Sequence, residues 1–100
     1  MNEDVDPTPL NELARALASA DNPELIKGFL KSLLTENEVT DISSRWTLVR
    51  LLDQGMSQRT ISRELGLSLC KITRGSRELK KEDSPFAHMI HLYQKEEPRS

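Results

Sequence analysis

The stretch that decides the fold runs from Ser57 to Ser76 and reads SQRTISRELGLSLCKITRGS. Gly66 separates two short segments, and the apolar residues of both recur at the three- and four-residue spacing of a helix. Ser57 and Ser68 precede the two segments at the position of a helix N-cap. Two short helices that meet at a glycine turn are typical of the helix-turn-helix that reads DNA. We predict this motif over residues 57–79.

The residues of the motif divide into an inner and an outer set. Ile61 and Leu65 face inward from the first helix, and Leu67, Ile72 and Leu79 continue the inner face. The outer set of the second helix combines small, apolar and basic residues, which suit a major groove at its first turn and phosphates at its rim. Its members are Leu69, Cys70, Lys71, Thr73, Arg74 and Arg77.

Gly75 is the unusual residue of the second helix. Glycine in a helix interior costs about 1 kcal/mol, so we interpret Gly75 as a place where another group approaches the backbone closely. A bound ligand is one such group.

The basic residues of the chain are concentrated in the same stretch. Residues 57–81 carry a net charge of +5 although the whole chain has a formal net charge of −2, so the remainder sums to −7. A basic patch on an acidic protein indicates contact with a phosphate backbone. A solvated helix face explains the same charge pattern, and charge alone does not decide between them.

Composition limits the class of protein further. One hundred residues with 36% hydrophobic content predict one domain over residues 1–100. No apolar run exceeds three residues and the N-terminus MNEDVDP is acidic, so we expect no membrane segment, no leader and a cytoplasmic location. Cys70 has no second cysteine, and His88 and His91 lack a third ligand, so we expect no metal.

Helical spacing of apolar residues continues outside the motif, and no stretch alternates with the period of two that marks a strand. We therefore predict an all-α chain of six short helices. The four outside the motif begin after Pro9, at Asn22-Pro23, after the capping box Thr35-Glu36-Asn37-Glu38 and at Ser84-Pro85, and a polar tail follows over residues 94–100.

Two of these helices have predicted buried faces. The third helix is the longest, and we expect Val39, Ile42, Trp46, Val49 and Leu52 to be buried and Gly55 to end it. In the last helix we expect Phe86, Met89, Ile90 and Tyr93 to point inward. Short helices share a thin core, which favours a homodimer in which a partner chain covers the remaining apolar faces.

Three segments, LLTENEVTDISSRW, MSQRTISRELG and ITRGSRELK, resemble the Trp repressor family from about Leu33 to Lys80. The resemblance implies an intertwined all-helical homodimer. It also implies a ligand-gated transcriptional repressor whose helix-turn-helix binds a palindromic operator in double-stranded DNA, with the amino acid L-tryptophan as corepressor.

The resemblance also implies roles for individual residues. Arg45 and Arg74 would sandwich the indole ring, and Arg74 would also pair with the ligand carboxylate. Gly75 would leave room for the ring. The implied ligand-binding residues are Leu34, Thr35, Arg45, Arg74, Gly75 and Glu78, with Leu34 and Thr35 supplied by the partner subunit. The implied DNA-binding residues are Gln58, Arg59, Ser68, Leu69, Cys70, Lys71, Thr73 and Arg77.

The chain departs from the family pattern at three positions near the implied ligand site. Glu78 stands where the family usually has a serine, Lys71 stands where it has a threonine, and Trp46 replaces a smaller aliphatic residue. Glu78 and Lys71 are able to pair with each other, and Glu78 suits an ammonium group.

These departures leave alternatives open. The effector is L-tryptophan, another amino acid or an indole compound, or the regulator has no effector. A helical module that binds an acidic protein is the alternative from another class. We expect no enzyme, because the sequence has no nucleophile–base pair, paired carboxylates or phosphate-binding glycine loop.

Overall fold

A computed structural model describes residues 8–96 of the chain, which form six α-helices. These are α1 (Pro9–Ser19), α2 (Pro23–Leu33), α3 (Glu36–Asp53), α4 (Gln58–Leu65), α5 (Leu69–Lys80) and α6 (Pro85–Glu96). No strand occurs within residues 8–96, so the prediction of an all-α chain with six helices is confirmed there. Residues 94–96 of the predicted polar tail belong to α6, and residues 97–100 lie outside the described residues.

The chain forms two compact units, Met1–Val39 and Thr40–Ser100. The first contains α1 and α2, and the second contains most of α3 together with α4, α5 and α6. The prediction of a single domain over residues 1–100 stays a prediction.

Side-chain caps begin α2 and α3 where the sequence predicts them. Asn22 accepts a hydrogen bond from the backbone N–H of Glu24 at 2.9 Å, and Pro23 follows at the first helical position. Thr35 and Glu38 form a reciprocal capping box: the Glu38 N–H donates to the Thr35 hydroxyl at 3.1 Å, and the Thr35 N–H donates to the Glu38 carboxylate at 2.8 Å. The predicted start of α3 is confirmed.

The second unit has a small apolar core to which each of its helices contributes. The buried side chains are Leu48, Val49, Ile61, Ile72 and Ile90. Partly buried side chains packed against them are Trp46, Leu51, Leu52, Met56, Leu65, Leu67, Leu79 and Phe86. Through this core, α5 packs against both α4 and α6.

Some of the predicted core positions are wrong. Ile42, Tyr93 and Met89 are 38%, 40% and 56% exposed. Leu48, which the helical stripe did not single out, is only 2% exposed. Apolar residues of α3 lie on more than one side of the helix, so a single stripe through Ile42 and Val49 does not describe its burial.

Candidate nucleic-acid interface

Local hydrogen bonds fix the turn that connects α4 to α5. Gly66 adopts a left-handed conformation with φ +68°, and its N–H donates to the Ser62 carbonyl at 2.9 Å. The Ser62 hydroxyl donates to the Leu67 carbonyl at 2.8 Å, which ties α4 to the turn. The Ser68 hydroxyl then caps α5 by accepting from the Lys71 N–H at 3.3 Å. The predicted pair of helices is therefore present with both predicted N-caps and the glycine turn.

The inner face of α5 packs on the core of the second unit. Ile72, Gly75 and Ser76 are buried, and Leu79 is partly buried. A Cβ atom at Gly75 would lie 3.2 Å from Cγ2 of Val49 and 3.4 Å from Cδ1 of Leu48. The close approach that Gly75 indicates is thus made by two side chains of α3, so the glycine itself gives no support to a ligand.

The outer face of α5 collects the residues that the sequence assigns to DNA. We define this face by Leu69, Cys70, Lys71, Thr73, Arg74 and Arg77, all of which are exposed. Ser68 and Arg59 are exposed beside it, and Gln58 is partly buried. The Thr73 hydroxyl donates to the Gln58 side-chain oxygen at 3.5 Å, so the first turn of α4 lies next to the outer face.

The predicted ligand-binding residues are distributed over both units. Arg74 and Glu78 line one shallow depression on α5, together with Leu69, Cys70, Thr73 and Arg77. Arg45 is exposed on α3, whereas Leu34 and Thr35 belong to the first unit, where the Thr35 hydroxyl caps α3. The Glu78 carboxylate pairs with Lys81 at 3.1 Å, so the pair with Lys71 that the sequence allows is not the one present in the structure.

Trp46 belongs to an aromatic cluster between α3 and α6. Its ring stacks on Phe86 with centroids 5.8 Å apart and meets the edge of Tyr93 at 6.1 Å. The guanidinium carbon of Arg50 lies 4.8 Å from the centroid of Tyr93. Sequence reasoning missed Arg50, because an arginine one turn after Trp46 gives no sign that a tyrosine forty-three positions later will lie beneath it.

Among residues 8–96, no three or more His, Cys, Asp or Glu side chains are grouped so as to hold a metal ion. No helix within this range combines the length and apolar character needed to cross a bilayer.

The second unit contains two capped helices that meet at a glycine turn and pack on a helical core. The second of these helices exposes a face of basic and apolar residues. These features define a helix-turn-helix protein. The chain belongs to the Trp repressor family, because the family model described as "Trp repressor protein" matches residues 8–94. This confirms the resemblance seen in the sequence. The family is one of DNA-binding transcriptional repressors and is not enzymatic, so the expectation that the chain is no enzyme is also confirmed.

Individual relatives agree with this assignment. The chain is 36% identical over 69 residues to a Trp operon repressor homolog of Chlamydia caviae, and these residues cover 68% of each protein. It is 35% identical over 68 residues to a Trp operon repressor homolog of Xylella fastidiosa, and these residues cover 67% of this chain and 74% of that protein. No solved structure gives a significant match.

Proposed function

We propose that the chain is an effector-gated transcriptional repressor that binds a palindromic DNA operator as a homodimer, with L-tryptophan as its corepressor. The observation that carries the proposal is the outer face of α5, where six exposed residues follow the Ser68 cap. The location that we expect for such a regulator is the cytoplasm.

The charge of the motif supports DNA as the partner. Lys71, Arg74 and Arg77 are exposed along one side of α5, and Arg59 is exposed on the first turn of α4. In this proposal the first turn of α5 enters the major groove and Arg77 farther along contacts phosphates, whereas Arg74 belongs to the effector site. Ser68 holds the first turn of α5 through its cap, and Gln58 meets Thr73 at the edge of the same surface.

The effector site of the proposal combines Arg74 with Arg45 around the indole, as the family resemblance implies. Glu78 replaces the usual serine and supplies a carboxylate for the ammonium group of the ligand. Because Glu78 is already paired with Lys81 in the free protein, the ligand ammonium competes with that lysine. Leu34 and Thr35 would come from the second copy, whereas the packing of Gly75 against Val49 removes the reason to place that glycine beside the ring.

Exposed apolar side chains of the first unit support a second copy of the chain as the dimer partner. Leu10, Leu25 and Leu33 are 75%, 61% and 50% exposed, and Phe29 is 38% exposed. Several large apolar side chains that a single chain leaves in water favour burial against a partner. A dimer would bury them, and sedimentation equilibrium should give twice the mass of one 100-residue chain.

DNA binding is tested by enrichment from a pool of randomised duplexes, with the full chain and L-tryptophan present. We expect a palindromic sequence to be enriched, and we expect its affinity to fall steeply with salt because cations of the motif displace counterions from phosphates. Binding to an acidic protein would also depend on salt but would enrich no duplex, which separates the DNA-binding repressor from the protein-interaction module.

The effector is tested by calorimetric titration with L-tryptophan, with and without the enriched duplex. A corepressor binds more tightly when DNA is present, because coupling between two binding sites is reciprocal. Duplex affinity that is unchanged by L-tryptophan would reject this effector. Titration with indole compounds and other amino acids would then test the alternatives that Glu78 leaves open.

A further inference from the structure

Leu69 is an exposed apolar residue in a surface otherwise made of polar and basic groups. Within residues 57–81, all of which the structure describes, it is the one large hydrophobic side chain that is exposed, at 57%. The other large apolar residues of the motif are buried or partly buried on the inner side. Neither the fold nor the cap of α5 requires a leucine here, since Ser68 makes the cap through its hydroxyl and a backbone N–H.

Leu69 lies at the N-terminal end of α5, and this is the end of a recognition helix that contacts base edges. It is the first residue of the helix, directly after the Ser68 cap. Thr73 lies one turn farther along the same face, and Leu69 lines the surface depression together with Thr73, Arg74 and Arg77. A recognition helix contacts base edges with its N-terminal residues, so Leu69 lies ahead of the cations that would bind phosphates.

A branched apolar side chain has one specific counterpart in the major groove. Thymine presents a 5-methyl group there, whereas the other bases present hydrogen-bond donors and acceptors that leucine cannot satisfy. We propose that Leu69 selects thymine in each half-site of the operator by packing against the 5-methyl group. This inference rests on the proposed DNA binding and adds a specific chemical feature of the operator to it.

The test replaces thymine with deoxyuridine, which removes the methyl group and keeps every hydrogen-bonding group of the base. Each thymine of the enriched duplex is replaced in turn, and affinity is measured for the full-length protein and for Leu69→Ala. For the wild type we expect one thymine per half-site at which loss of the methyl weakens binding about fourfold, the value of burying one methyl-sized group. Leu69→Ala should lose this sensitivity at that thymine alone.

A matched control is Leu92→Ala, which removes an exposed leucine of α6 that lies outside the motif. It should keep the full response to deoxyuridine. Thermal unfolding of both variants checks that the fold is intact. Equal sensitivity of wild type and Leu69→Ala at every thymine would overturn the assignment, as would a wild type that responds to no methyl group. Failure to enrich any duplex would instead reject the proposed DNA binding and the assignment with it.

Discussion

Gly75 of α5 lies against Val49 of α3 so closely that a Cβ atom on the glycine would be 3.2 Å from Cγ2 of the valine. Val49 has no solvent exposure, so it has little freedom to move away. Gly75→Ala gains up to about 1 kcal/mol of helix propensity, but overpacking a filled core costs about 1–3 kcal/mol. We expect Gly75→Ala to lower the free energy of unfolding by about 1 kcal/mol, measured by urea denaturation.

Gly28 provides the matched control for this substitution. It lies within α2, and a Cβ added there would meet nothing within 4 Å. Gly28→Ala should therefore raise the free energy of unfolding by up to about 1 kcal/mol. If Gly75→Ala stabilised the protein as much as Gly28→Ala does, packing against Val49 would not explain the glycine.

Gly66 carries the turn between the two helices of the motif in a conformation that other residues disfavour. With φ at +68°, an alanine there would cost about 1–2 kcal/mol, whereas asparagine tolerates this region better. We expect Gly66→Ala to lower the free energy of unfolding by about 1 kcal/mol and Gly66→Asn to lower it by clearly less. Urea denaturation of both variants checks the order, and the reverse order would contradict the conformational explanation.

The parts of the fold that the sequence predicts well depend on local chemistry. The caps by Asn22, Thr35 and Ser68 follow from residues within one turn, and the positive φ of Gly66 follows from its place between two helices. For the same reason the sequence also predicts the outer face of α5.

What the sequence did not predict depends on neighbours that are distant in the chain. The burial of Leu48 and the exposure of Met89 are set by which helices pack against α3 and α6. The partner of Gly75 is likewise a residue twenty-six positions earlier, so the glycine alone indicated close approach without identifying what approaches.

Trp46 packs against Phe86 and Tyr93, so we expect it to contribute to stability and not to effector binding. Trp46→Phe should lower the free energy of unfolding by about 1 kcal/mol through lost contact area and ring packing. Trp46 is the single tryptophan of the chain, so in this variant a bound L-tryptophan is the one indole in the sample. The fluorescence of L-tryptophan should still change on binding to this variant, and the affinity obtained from the change should equal that of the wild type.

Tyr93→Phe is the control for Trp46→Phe. It keeps the ring beneath Arg50 and should leave both stability and effector affinity unchanged within experimental error. Loss of L-tryptophan binding in Trp46→Phe, with binding intact in Tyr93→Phe, would place Trp46 in the effector site instead.

Lys71 and Arg77 lie at opposite ends of the outer face and should differ in their effects on DNA. Lys71 belongs to the first turn of α5, so Lys71→Ala should change which duplexes the protein prefers. Arg77 lies two turns later, so Arg77→Ala should weaken all duplexes alike and reduce the slope of log affinity against log salt by about one. Competition among duplex variants at several salt concentrations measures both, and exchanged phenotypes would contradict the assignment of roles.

Arg74 is the residue on which the proposed effector response depends most. It is exposed beside Glu78 in the same depression, where its planar guanidinium is available to stack on an indole and to bind a carboxylate. Arg74→Ala should abolish the gain in duplex affinity that L-tryptophan produces, while the dimer mass stays the same. Arg74→Lys should lose most of the gain as well, because an ammonium keeps the charge without the planar stacking surface. Arg63→Ala, which removes an exposed arginine of α4 outside the proposed sites, should respond to L-tryptophan as the wild type does; an equal response in Arg74→Ala would exclude Arg74 from the effector site.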